Sequence, residues 1–541
     1  MKRKNIALLL AGSLFLLPAC TDNFESLNST PGSYTDDLQE YDFQKQVLPL
    51  KTVQTAIIYQ TGVDGTNWQF QIMQNLVADM YSGYFHDMSG GFNSQNSSYK
   101  LNTGWCGAQW GYTYAQGMPN ILSSERLNTK QDYPAFYALT NIMKVAMMHR
   151  VSDYYGPIIY KNFGQTSPDP ESQQAVYGDF FADLDEAVTL LKQWIADKKP
   201  ETFSTANADI MMPAGKRTYS QWLKFANSLR LRLAIRVSNI DADLAKQQAQ
   251  AALDPDNGGV LENADETVGE YGITNPLGGV SGWGEVFMNA SMESFLMGYS
   301  DPRTAKYFSP AVGGDFLNDK GQVEVPELFP TAGTFKGVRQ GTALDKDNRY
   351  STHSKTTVTT TSDIIVMTAA EVWFLRAEAA LRGYVDAGRE KEYYEKGVST
   401  SFEQWNAGSA AAYLQSSATP SDYKDAFDTR FDAKAMTDIT PRWDDAADNE
   451  HKLERIITQK WLATYPEGCE AWAEQRRTGY PKLFKVAVNM SNGAIDTDAM
   501  IRRVPFNTDL DDATTAKLNS LLGGADNGGT RLWWDAGGNK F

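Results

Sequence analysis

The chain of 541 residues is 42% apolar and 21% charged, the balance of a core-forming protein and not of a disordered one. Asp and Glu number 66 against 50 Lys and Arg, and no block of basic residues interrupts the formal net charge of −16. That excludes a nucleic-acid grip and an electrostatic hold on anionic lipid.

The N-terminus is the exception to this acidity. Lys2, Arg3 and Lys4 precede an almost wholly apolar run from Ile6 to Ala19, the order of a secretory signal. The run is short for a spanning helix, which needs roughly 20 apolar residues. No later segment reaches that length, so the body is expected to be soluble. Leu17-Pro18-Ala19-Cys20 resembles the lipobox of bacterial lipoproteins, where the Cys thiol is acylated, palmitate among the chains, and becomes the first residue. Pro18 stands where a small residue is usual. The alternative is an ordinary signal followed by a chance cysteine. Acyl chains hold a membrane at about 0.8 kcal/mol per buried CH₂. Residues 1–19 therefore read as a signal, Cys20 as the lipidation point, and 20–37, rich in Asn, Ser, Thr, Pro, Gly and Asp, as a flexible tether. Cys106 and Cys469 are left either paired or buried and free.

Residues 59–114 carry twelve aromatic side chains, and within 81–114 the only charges are Asp87 and Lys100. Gly, Ser, Asn, Gln and Thr supply most of the rest. Rings that pack on the C–H face of a sugar, beside amides and hydroxyls that bond its OH groups, suit an uncharged polar ligand. The stretch 271–291 has the same character, with Glu285 its only charge. Most such rings are expected in the core. Those just before a helix or within Gly-rich loop are the better contacts, which selects Tyr84, His86, Asn93, Trp105, Tyr271 and Trp283 as candidate ligand-binding residues.

Helical periodicity dominates the body. The segment 177–198 is amphipathic. In 219–239, Trp222, Ala226, Leu229, Leu233 and Val237 share one face, with Arg230, Arg232 and Arg236 spread over the others. Asp254, Asp256, Gly259 and Asp265 evoke a calcium loop, but Gly258 offers no ligand and Asp265 replaces the usual bidentate Glu, so a polar interhelical turn is expected. Residues 356–362, TTVTTTS, suit either a strand or a loop edge. In 368–383, Thr368 and Glu371 have capping-box spacing and Gly383 supplies a stop. Residues 450–483 read as a helix pair turning at Pro466-Glu467-Gly468 and ending at Gly479 and Pro481. Helix pairs with Ala and aromatic knobs suggest a tetratricopeptide-like solenoid, although no strict 34-residue signature is present. Long Gly/Asn/Thr-rich stretches at 81–104, 255–290 and 309–362 interrupt the helices.

Catalytic and metal patterns are absent. His86, His149, His353 and His451 lack metal-ligand spacing, so no metal and no cofactor is expected. "GVSGW" is no nucleophile elbow, because Trp283 occupies the second glycine's place. No pair of acids has a glycosidase context. The expectation is that the chain is not an enzyme.

Eight segments in order resemble the SusD/RagB family of nutrient-binding outer-membrane lipoproteins. They are DYYGPIIY (153–160), FFADLDEAVTLL (180–191), WLKFANSLRLRLAIRVSN (222–239), SDPR (300–303), AEVWFLRAEAALRG (370–383), WAEQRRTGYPKL (472–483), RRVPFNTDL (502–510) and TRLWWD (530–535). Asn507 replaces a common Pro of that pattern. The resemblance implies a mainly α fold, a tetratricopeptide-like helical-repeat scaffold with long loop-rich insertions. It implies a single domain over 38–541, with ligand loops mainly in 59–114 and 255–362. It implies an outer-membrane, lipid-anchored protein facing the cell exterior, with Asp22 and Glu25 similar to an acidic surface-export signal. It also implies a lid over a SusC-like TonB-dependent transporter that receives glycan or, in some members, peptide. The expected function is capture and delivery of oligosaccharide, the alternative a peptide-binding relative with the same transporter.

Overall fold

The computed structural model describes residues 44–58, 68–87, 95–202, 208–317, 322–328, 333–342, 348–538 and 540–541. The signal, Cys20, the tether and Asn93 lie outside the described residues. Residues Gln46–Phe541 form one compact unit. Helices dominate it, and the strands among the described residues make three two-stranded antiparallel ribbons.

The scaffold consists of long helices, most of them started by a side-chain cap and packed on a neighbour. Pro134–Tyr155 (α1) packs on Gln173–Ala196 (α2), whose N-cap Ser172 accepts from the Ala175 N–H. Next comes Tyr219–Arg236 (α3), capped by Thr218, which packs on α2 and on Ala242–Leu253 (α4). The C-terminal group is Ala369–Leu381 (α5), Glu390–Gln404 (α6), Asn449–Thr464 (α7) and Gly468–Thr478 (α8). Here α5 packs on α6 and α7, and α8 on α7. The chain is thus mainly α, with helix packed on helix in succession, as the periodicity and the resemblance implied.

Three local readings are refined. Helix α3 is buried all round, and its arginines do not face water. The Arg232 guanidinium bonds both Glu371 oxygens at 2.8 and 2.7 Å, while Arg236 pairs with Glu470 and with Glu474 at 2.5 Å. Lys460 joins Glu470 at 2.8 Å and Glu474 at 3.3 Å, and Arg477 bridges Glu378 and Glu474, each at 2.7 Å. These charges are buried, and pairing is what makes their burial tolerable. Thr368 does cap α5, its hydroxyl accepting from the Glu371 N–H at 3.1 Å. The Glu371 carboxylate, however, serves Arg232 and not the cap. The TTVTTTS stretch is chiefly loop, with a single bridge from Thr356 to Phe308.

Cys106 and Cys469 are free thiols buried in the core. Asp254 accepts from the Asp256 N–H and Asp265 pairs with Lys216, so 254–265 is an interhelical turn.

Candidate functional site

The two aromatic stretches meet on one side of the molecule. A short helix, Trp68–Phe70, runs straight into a π-helix, Gln71–Asp79, a wide turn that recurs at functional sites. The chain then forms strand β1, Phe85–Asp87. It pairs with β3, Val286–Met288, in the register Phe85 with Met288, His86 with Phe287 and Asp87 with Val286. The intervening strand in chain order, β2 (Val268–Glu270), pairs elsewhere, with Ile364–Met367.

Leading into β3 is a seven-residue helix, Pro276–Gly282, here called the site helix. Asn275 caps it, its side-chain oxygen accepting from the N–H groups of Leu277 and Gly278 at 2.9 and 3.3 Å. A Cβ on Gly278 would collide with the Thr359–Thr360 peptide, so only glycine lets the helix lie this close to that loop. The helix ends at Trp283, and Gly284 at φ +83° turns the chain into β3, a conformation that favours glycine.

The site helix packs against the Trp68 helix and the π-helix. Trp68 and Trp283, 47% and 46% exposed, therefore stand on neighbouring elements. Isolated exposed apolar residues are ordinary; two half-exposed indoles on adjoining elements are the candidate contact patch of this region. Tyr112 meets Trp68 edge-on at 6.3 Å between ring centres. Polar groups flank the rings. Gln71 Nε2 donates to Glu285 at 2.8 Å and to Asp87 at 3.4 Å, tying the two stretches together through one amide. Lys355 Nζ lies 4.9 Å over the Phe287 ring, and burial lowers its pKa. The exposed indoles can stack on a ligand ring, and the Glu285 carboxylate, two residues from Trp283, is partly exposed, whereas the Gln71 amide and the Asp87 carboxylate are buried and tie the two stretches together from within.

The candidate residues fare unequally. Trp283 is in the patch. Trp105 is partly exposed on the short helix Thr103–Cys106, which Asn102 caps and which packs on the π-helix. Tyr271 is partly buried before the start of the site helix, its hydroxyl donating to the Thr267 carbonyl at 2.7 Å. It is not brought to the Trp283 end. Tyr84 is corrected: it is fully buried, stacked on Trp461 at 5.5 Å, and its hydroxyl donates to the Trp461 carbonyl at 2.5 Å. His86 is corrected as well. It is fully buried under the β1–β3 ribbon, and burial lowers its pKa to about 4, so it is neutral at pH 7. Asn93 lies outside the described residues. Trp68, half exposed, and Tyr112, which packs on it, were not selected. For Trp68 a signal existed, since Gly65, Thr66 and Asn67 precede it in the sequence and it opens a helix.

Among the described residues no helix is long and apolar enough to cross a membrane, and no group of His, Cys, Asp or Glu could hold a metal ion.

Known proteins resemble the chain over nearly its whole length. The model of the SusD-like family, described as Susd and RagB outer membrane lipoprotein, matches residues 26–535. A SusD homologue from Bacteroides vulgatus is 45% identical with a TM-score of 0.84, over 93% of this chain and 100% of that one. A chitin-binding SusD homologue from Flavobacterium johnsoniae is 37% identical with a TM-score of 0.83, over 92% and 100%. One from Bacteroides uniformis is 31% identical with a TM-score of 0.80, again over 92% and 100%. No curated protein matches. The likeness spans nearly the whole chain in both the family model and the solved structures: the chain belongs to the SusD-like family of nutrient-binding outer-membrane lipoproteins.

Proposed function

We propose that the chain captures a neutral oligosaccharide at the cell surface and passes it to a SusC-like TonB-dependent transporter, acting by binding and not by catalysis. The observation that carries this reading is the pair of half-exposed indoles, Trp68 and Trp283, on adjoining elements in an almost uncharged region. Stacking plus hydrogen bonding is the recognition chemistry of an uncharged sugar chain. The chitin-binding relative, 37% identical, supports a glycan as ligand and makes chitin oligosaccharides the first to try. The lipid anchor at Cys20 and the outward orientation belong to the same proposal. Both rest on the N-terminal sequence, outside the described residues.

Calorimetry of the soluble body, residues 21–541, against chitin oligosaccharides and a panel of other glycans tests the reading. Binding to at least one glycan is expected. Trp283→Ala and Trp68→Ala should each weaken it about tenfold, since a ring contact contributes roughly 0.5–1.5 kcal/mol beyond its buried area. Glycan binding untouched by both changes would remove the patch from the site. Binding of peptides in place of glycans would favour the alternative. Delivery is tested by affinity purification of the lipidated chain, which should bring down a TonB-dependent barrel.

A further inference from the structure

A second cavity, of about 320 Å³, lies where the loops meet the helical scaffold. Tyr271 forms one wall, and Trp405, at the C-terminal end of α6, forms another. Thr357, Ser362, Asp363 and Gln404 supply the polar lining. The cavity belongs to the N-terminal side of the site helix, whereas Trp283 closes the opposite end. Seven helical residues span about 10 Å, so the two surfaces are separate.

The lining is unusually ready for a ligand. Trp405 is fixed from behind, its ring edge-on to Tyr307 at 4.7 Å and tilted against Tyr465 at 6.0 Å. Its indole N–H and the Gln404 side-chain oxygen are both buried, and neither has a hydrogen-bond partner among the described residues. Leaving such atoms unpaired costs roughly 1–3 kcal/mol each. The Asp363 side chain is exposed at the rim, and its carboxylate takes part in no ion pair or side-chain hydrogen bond among the described residues; Asn275 bonds only its backbone carbonyl. Thr357 already donates to the Lys306 carbonyl at 2.6 Å, and Ser362 accepts from the Thr359 N–H at 3.0 Å. The Gln404 amide N–H groups and the Asp363 carboxylate therefore remain as free donors and acceptor among the described residues, and Asp363 is the only charged residue of the lining. A ligand rich in hydroxyls, which both donate and accept, with apolar faces for two rings, matches that lining. The volume is at the lower end for ligand pockets, which run from about 300 to 1,000 Å³, so it suits one ring and not a chain.

We propose that this cavity is a second binding site, which takes a single neutral sugar ring between Tyr271 and Trp405 with Asp363 accepting from its hydroxyls. The proposal rests on the glycan reading above only in the choice of sugar as ligand, because the residues are different.

The test uses the soluble body labelled with 5-fluorotryptophan, observed by fluorine NMR. The Trp405 resonance is the one missing in Trp405→Phe, a change that keeps the ring packing against Tyr307. Glucose, galactose, mannose and N-acetylglucosamine are titrated separately, to concentrations of roughly 100 mM, far enough to detect the weak affinities expected of single rings. The Trp405 resonance should move with at least one of them. Asp363→Asn should weaken that response about tenfold, the scale of a hydrogen bond to a charged acceptor. Trp283→Ala should leave it unchanged. A Trp405 resonance that stays still with all four sugars overturns the proposal, as does one that answers only to ammonium compounds such as choline. An unaltered response in Asp363→Asn removes Asp363 from the site and overturns the proposal as stated. If long glycans fail to bind while Trp405 responds to a monosaccharide, the oligosaccharide reading falls and this site stands. The opposite pattern leaves that reading intact and ends this one.

Discussion

Charge and aromaticity are used in opposite ways by the two halves of this molecule. In the scaffold, Arg232, Arg236, Lys460 and Arg477 are buried and face Glu371, Glu470, Glu474 and Glu378 across α3, α5, α7 and α8. On the ligand side, indoles are left half in water and the carboxylates of Asp87 and Glu285 share one neutral amide. Paired buried charge fixes which helix sits where, because a displaced helix would strand an ion in a low-dielectric interior. Exposed rings leave burial energy unrealised at the surface, which a ligand of the proposed kind would recover. The contrast separates residues that hold the fold from residues that the fold leaves open.

Breaking the scaffold side should produce the largest effect. Glu371→Ala leaves Arg232 without its bidentate acceptor and should lower stability by about 3–5 kcal/mol in urea unfolding. Glycan affinity of the protein that remains folded should be unchanged. A loss below about 1 kcal/mol would mean that the network carries no structural weight.

Asp79 is expected to come next. It ends the π-helix, fully buried beside Arg150 and Glu467, with Gln74 donating to it at 3.0 Å. Burial raises its carboxyl to about 7, against 3.8 in a free chain. Between pH of about 4 and 7 the folded protein keeps a proton that the unfolded chain has released, so stability falls as pH rises through this window. The contribution is of order 4 kcal/mol at most. Asp79→Asn should match the parent near pH 4 and melt at higher temperature near pH 8. Parallel melting curves across that range would contradict the assignment.

On the ligand side the effects should be smaller and confined to binding. Trp283→Ala should weaken glycan binding about tenfold with a melting temperature close to that of the parent, because the ring is already half in water. A large fall in melting temperature would place Trp283 with the scaffold. The smallest effect expected is that of salt. Between 50 and 500 mM NaCl, affinity for a neutral glycan should change by less than about twofold, since no ion pair forms across the contact. A steep salt dependence would point to a charged ligand and blur the contrast.

Much of the scaffold was legible from local signals. Thr218, Thr368 and Ser172 mark helix starts by a chemistry that acts within three residues. What remained hidden was long-range. Arg232 and Glu371 are 139 residues apart and Arg236 and Glu474 are 238 apart, so nothing near α3 revealed that its polar faces are buried. The same limit explains the split among candidate ligand residues. Tyr84 and Trp283 both sit in Gly-rich, uncharged stretches. Trp461, 377 residues on, supplies Tyr84 with a stacking partner and an acceptor, while nothing covers half of the Trp283 ring. Composition located the region, and only the packing of distant helices divided core rings from surface rings.

The absence of a side chain at Gly278 has a consequence for binding itself. Because the site helix is pressed against the Thr359–Thr360 peptide, rigid backbone against rigid backbone, it has no slack to take up when a ligand arrives. The conformational entropy of this surface is lost once, during folding, and not again at each encounter. Affinity can then come from few contacts, and release need not wait for a loop to unfold. Under the delivery proposed above, a stiff and shallow hold would be an advantage over a deep one.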